Sequence, residues 1–208
     1  MFQGSSVFET HYKDYCRQIS VLDFASIADT LGIEQQCDQV RIRFFNRDYW
    51  VSRDGIRDAS NNRPDYGVCV ILAKYILLCP EQIHHDPQWV SFKDFKKNAA
   101  FTNINFFTSD TEHAILKHFS GKRAQLLNAC NKLGGVPHDI GATYDLSMQL
   151  DALPRISLLL LYNDCDEEFP AQCTVLFQKH AEFYLDPKSL VMTSAGLAKQ
   201  LAQTIKNA

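Results

Sequence analysis

The eight residues Arg155 to Tyr162 read Arg-Ile-Ser-Leu-Leu-Leu-Leu-Tyr, and this run limits the fold more than any other stretch of the chain. Successive side chains of a strand point to opposite faces, so a strand apolar at consecutive positions is buried on both and sits inside a sheet. Ahead of it, Ala142, Tyr144, Leu146, Met148 and Leu150 alternate with Thr143, Asp145, Ser147 and Gln149, the pattern of a half-buried strand. Behind it, the polar loop Asn163 to Pro170 leads to a third strand near Cys173 to Phe177. The three segments predict a C-terminal antiparallel meander with Arg155–Tyr162 at its centre.

The rest of the chain supplies helices and one hairpin. Val7, Phe8, Tyr12, Tyr15 and Ile19 recur at helical spacing. A short helix is predicted from Asp23, an N-cap residue, to Leu31, with Gly32 positioned to take positive φ just past its end. Val40–Phe45 and Tyr49–Arg53 are β-rich, with Asn46-Arg47-Asp48 between them as the expected turn. Val40, Ile42 and Phe44 alternate with Arg41 and Arg43, which gives that hairpin one buried face. Tyr66 to Cys79 is apolar nearly all round and long enough for a buried helix, stopped by Pro80. One long helix is expected from Thr111 to Leu133, with Ser109 and Glu112 at capping-box spacing and Gly134-Gly135 as its stop. A last helix spans Ser189 to Lys206, with Val191, Ala195, Ala198, Leu201 and Ile205 inward.

Alternating βαβ units are absent, so the expected class is α+β: an antiparallel sheet built from an N-terminal hairpin and a C-terminal meander, packed by helices. No linker divides the 208 residues, and one domain spanning 1–208 is expected. The net charge of -3 offers no broad basic surface, which argues against nucleic acid as a partner. Met1 to Ser6 carry no secretory signal, and no apolar run approaches the roughly 18–20 residues of a membrane span. The seven cysteines form no CxxC, so they are expected to be free thiols in a reducing cytoplasm.

Asp166-Glu167-Glu168-Phe169-Pro170-Ala171, then Leu176-Phe177 and Tyr184-Leu185, resemble the bacterial and archaeal family of unknown function DUF3786. Trp89-Val90-Ser91-Phe92-Lys93-Asp94-Phe95 resembles a second segment of that family. The resemblance spans about residues 7 to 206 and implies the same layout of helical start, hairpin, apolar helix and closing meander. The chain departs from the family pattern at Gln178, where the family has Asp, and at Lys93, where it has Arg. Some members look to carry a cysteine-rich, iron–sulfur-like segment beside the domain; this chain has none. The resemblance implies no activity and no cofactor.

The densest chemistry lies in the acidic loop, where Asp164, Asp166, Glu167 and Glu168 follow the apolar strand. Crowded carboxylates raise one another's pKa and can serve as a general acid or base, or ligate a hard cation. A solvated hairpin tip with local turn bonds is the favoured account of these residues, ahead of a buried carboxylate paired with Arg155 or Arg41 and of a binding or catalytic role. The loop is no EF-hand: counting Asp164 as the first position, the sixth is Phe169 and the twelfth Val175. Pro170 holds Phe169 extended, and its ring is expected to pin the loop to the core. His138 enters a predicted strand from a loop, a placement open to a site role. His113 and His118, five apart, miss the spacing of a zinc helix, and no metal site is assigned.

Two functions compete. One is a ligand-binding or protein-interaction domain, with a small molecule or protein as its unidentified partner, suggested by the aromatic hairpin residues Phe44, Phe45, Tyr49 and Trp50 and by the lack of any catalytic motif. The other is an enzyme or metal-binding protein using Asp164, Asp166, Glu167 and Glu168 with His138 or Arg155 nearby.

Overall fold

Two antiparallel sheets, one of four strands and one of five, carry the β structure, and six α-helices among the described residues pack against them. The computed structural model describes residues 6–95 and 107–206. The α+β class, the N-terminal hairpin and the C-terminal meander stand as expected, with hairpin and meander each built into a sheet of its own.

Helices α1 (Ser6–Ile19) and α2 (Phe24–Leu31) open the chain. Asp23 accepts a hydrogen bond from the Ala25 N–H at 3.0 Å, and Gly32 closes α2 at φ +65°. The first sheet is a meander of β1 (Glu34–Gln36), β2 (Gln39–Phe44), β3 (Arg47–Ser52) and β4 (Gly55–Asp58). Its central hairpin turns on two residues, Phe45 and Asn46, both at positive φ, and not on Asn46-Arg47-Asp48. Arg47 and Asp48 already pair with Phe44 and Arg43. Two residues at positive φ match the right-handed twist of the flanking strands. Phe45 is an unusual choice there, and it is fully buried, its N–H donating to the Ala152 carbonyl of the other sheet at 3.1 Å.

Helix α3 (Tyr66–Leu77) starts at Asp65, which accepts from the Val68 N–H, and is buried along most of its length. The five-stranded sheet runs in the order β5 (Trp89–Ser91), β9 (Gln172–Gln178), β8 (Ile156–Asn163), β7 (Leu146–Leu153), β6 (Val136–Pro137). The apolar strand β8 is central, as its two-faced burial requires. Strand β7 begins at Leu146, so Ala142 and Tyr144 lie outside it. A bulge between Asp151 and Leu153 leaves Ala152 unpaired, and its carbonyl receives Phe45 from the first sheet.

The expected helix from Thr111 to Leu133 is two helices, α4 (His113–Phe119) and α5 (Arg123–Lys132), behind a π-turn at Thr108–Glu112. The break falls at Gly121, whose φ of +73° suits a residue without Cβ. Its inward face is nonetheless as expected: Ile115, Phe119, Leu126, Cys130 and Leu133 are all buried. No capping box forms at Ser109, since Glu112 turns instead to strand β9. The long helix α6 (Pro187–Lys206) touches α3, α4 and α5, and the two sheets meet where β2 contacts β7. One cluster of buried side chains runs from Val40 and Phe44 in the first sheet to Leu158 and Phe177 in the second.

Candidate functional site

The two aspartates of the acidic loop are already engaged by backbone N–H groups, Asp164 by those at the start of α5 and Asp166 by those of the loop itself. Helix α5 has Lys122 at its N-cap position, which offers no acceptor. Asp164 fills that role from the end of β8, accepting from the N–H groups of Gly121 at 2.6 Å and Arg123 at 3.2 Å and from the Tyr162 hydroxyl at 2.9 Å. Partial burial pushes the Asp164 pKa up, but these donors, with the Cys165 N–H, outweigh it and hold the carboxyl below its ordinary value. Burial and the adjacent Asp164 carboxylate raise the Tyr162 pKa. Asp166 accepts from the N–H groups of Phe169 at 2.7 Å and Glu168 at 2.8 Å, an Asx turn that shapes the loop and lowers its pKa. Glu167 and Glu168 are exposed. The Phe169 ring does not pin the loop: it is 62% exposed, because Asp164 and Asp166 already fix the backbone.

Arg155 lies at the opposite end of β8, about 30 Å of extended chain from Asp164. Its Nη2 donates to the Asp29 carbonyl at 2.8 Å and its Nε to the Thr30 carbonyl at 3.2 Å, so it caps the C-terminus of α2. The Tyr75 hydroxyl donates to the Leu31 carbonyl at 2.6 Å and accepts from the Arg155 N–H at 3.1 Å, tying the same corner to α3. His180, not singled out from sequence, is buried with Nε2 3.1 Å from the Arg155 carbonyl.

His138 accepts a hydrogen bond from the Trp89 indole N–H at 3.0 Å, although β5 and β6 are the two edges of the sheet. Laid flat, those edges would be roughly 19 Å apart. The sheet therefore curls until residues from its two edges meet, and the Trp89–His138 pair is the clasp. Asp164, Arg155 and His138 thus sit at three separate places. No group of three His, Cys, Asp or Glu residues with the geometry to hold a metal ion occurs among the described residues.

The arrangement best suited to a ligand lies elsewhere, in a cleft of about 260 Å³ between the start of α3, one face of α6 and the β2–β3 hairpin. Its walls are apolar, with Phe44 and Tyr49 from the hairpin, Val68 and Ile71 from α3, and Met192 from α6. Ala195 and Gly196 complete the α6 wall, and a Cβ at Gly196 would meet the Phe44 ring at 3.5 Å, an ordinary van der Waals distance. At the rim, Lys199 and Asp65 form an ion pair at 2.7 Å. Burial raises the Asp65 pKa, but Lys199 and the Val68 N–H overcome this and keep it below the ordinary value. Burial raises that of Tyr49, partly offset by Arg47.

Gln200 distinguishes this cleft. The residue is 6% exposed, lines the cleft, and its side-chain Oε1 is buried with no hydrogen-bond partner among the described residues. Leaving such a group unsatisfied costs about 1–3 kcal/mol. A second concavity, between β2 and β7, is lined by Arg41, Arg43, Glu34 and Asp48, but these residues neutralise one another through three ion pairs.

Sequence reasoning missed Gln200, Lys199, Asp65 and Arg47 as a group, because they come from three distant segments. One local signal was available. Gly196 sits inside a long helix, where glycine is unfavourable, and Gln200 follows it by one turn on the same face.

A family model described as a domain of unknown function, DUF3786, matches residues 23–200. No curated protein and no solved structure matches the chain.

Proposed function

The chain belongs to DUF3786, a family without an assigned activity, and on that footing we propose that it is a ligand-binding domain whose cleft between α3, α6 and the β2–β3 hairpin takes a small, largely apolar molecule. The observation that carries this reading is the buried Gln200 Oε1, an acceptor without a partner among the described residues, on a residue that lines a cleft with apolar walls. Binding sites combine such walls with a few placed polar groups, and a polar atom that costs stability in the free protein is accounted for when a ligand meets it. The volume, about 260 Å³, falls just under the roughly 300 Å³ at which drug-sized sites begin, which favours a small ligand. The acidic loop supports a site less well, since Asp164 and Asp166 already accept backbone N–H groups.

The proposed partner is a small molecule and not nucleic acid, in keeping with the net charge of -3. No helix among the described residues is long and apolar enough to cross a membrane. A cytoplasmic location is part of the proposal, supported by seven unpaired cysteines, of which Cys69 and Cys130 are buried and Cys37 and Cys165 exposed.

The test is the pair of wild type and Gln200→Leu. Replacing the orphaned amide with an apolar side chain of similar size is expected to raise the Tm by about 2–6 °C. A thermal-shift screen of small metabolites should stabilise the wild type more than the variant at the same concentrations. A variant no more stable than wild type, with an unchanged ligand response, overturns the reading.

A further inference from the structure

The mouth of the cleft carries information about charge that its walls do not. Arg47, at the start of β3, lines the cleft and is exposed, and it forms no ion pair among the described residues. Lys199 is paired, but its partner Asp65 is shared, because the same carboxylate caps α3 through the Val68 N–H. The groups at the mouth are therefore two cations against one carboxylate, on a chain whose overall charge is -3. A guanidinium presents paired N–H donors in a plane, a geometry that matches a carboxylate. Gln200 lines the cleft, and its buried Oε1 lacks a donor among the described residues.

Resting on the reading of the cleft as a binding site, we propose that its ligand is a small organic monocarboxylate, with the carboxylate on Arg47 at the mouth, an apolar body between Met192 and Val68, and an N–H or O–H donor directed at Gln200. The specificity is then twofold. Removing the carboxylate leaves Arg47 without an ion-pair partner, and removing the donor leaves Gln200 Oε1 unsatisfied in the bound state. The second loss discriminates strongly, because a site built to hydrogen-bond a ligand rejects an analogue that lacks the group.

Three probes of similar body separate these requirements when titrated calorimetrically against the full chain. Indole-3-acetate has both carboxylate and N–H, indole has the N–H alone, and 1-naphthylacetate has the carboxylate alone. Indole-3-acetate should bind at least about tenfold more tightly than either of the others, a difference of about 1.4 kcal/mol. Arg47→Met should abolish its advantage over indole while leaving indole binding in place. Gln200→Leu should abolish its advantage over 1-naphthylacetate. Ala195→Phe, which fills the cleft, should remove binding of all three while the far-ultraviolet circular dichroism stays that of the wild type. Equal affinity for indole and indole-3-acetate overturns the carboxylate assignment while the apolar cleft stands. Failure of all three probes to bind the wild type at millimolar concentration removes the cleft as a site together with the ligand class built on it.

Discussion

Val175 lies one residue past the point where β5 stops pairing with β9, so its N–H donates to Glu112 Oε1 at 3.0 Å. Burial raises the Glu112 pKa above the ordinary carboxylate value, and the hydrogen bond from Val175 only partly opposes this. The folded state thus holds the proton more tightly than the unfolded chain. The stability linked to that proton is complete at low pH and is lost as pH rises through the raised value. Gln at this position keeps the acceptor without the charge, so the stability of Glu112→Gln relative to wild type should grow between pH 4 and pH 7 in urea titrations. A gap that does not change with pH contradicts this account. Asp164 has the opposite sign. Its folded pKa is lowered, so its stabilisation is present above the ordinary value and is lost as pH falls through the depressed one. Asp164→Ala should cost about 1–2 kcal/mol at neutral pH, the usual worth of an N-cap, with the difference shrinking in acid.

Among the elements, the junction between α4 and α5 shows what periodicity misses. A helical pattern carries through a single glycine, so Ile115 to Leu133 reads as one helix from sequence, and the buried face is right even though the helix is not continuous. What breaks it is Asp164, 43 positions away, which accepts the Gly121 N–H. Gly121→Ala has room for its methyl, the nearest atom being Cys165 Sγ at 3.8 Å, so its cost is the positive φ alone, about 1–2 kcal/mol, read from the urea midpoint. A near-neutral substitution would show that the break does not depend on glycine. The central strand β8 and the capped helix α2 were legible because their signals are local: two-faced burial in one case, Asp23 and Gly32 in the other. The short strands β1, β4, β5 and β6 were not, since segments of two to four residues have no period to detect. His138 was legible as a loop residue of interest, but its partner Trp89 follows only from the curl of the sheet.

Across the molecule, the contact of β2 with β7 and the shared cluster of buried side chains couple the two sheets, and Phe45 bonds directly to Ala152 between them. We therefore expect 1–208 to unfold as one cooperative unit. The two tryptophans report on this separately, Trp50 from β3 and Trp89 from β5. Trp50→Phe and Trp89→Phe each leave one fluorophore, and in each variant fluorescence and circular dichroism should give the same urea midpoint. Separate midpoints within one variant would show two independently stable units. The candidate cleft is itself a product of this scale: hairpin, α3 and α6 each contribute a wall, and α6 reads from its sequence as an ordinary amphipathic helix with Gln200 among its polar positions. The account of function is tested most directly by the side-chain amide resonance of Gln200 in a ¹⁵N-labelled sample titrated with indole-3-acetate. Saturable shifts of the Gln200 side chain and the Arg47 guanidinium, with Asp164 to Glu168 unmoved, are predicted; shifts confined to Asp164–Glu168 with Gln200 unchanged would contradict it.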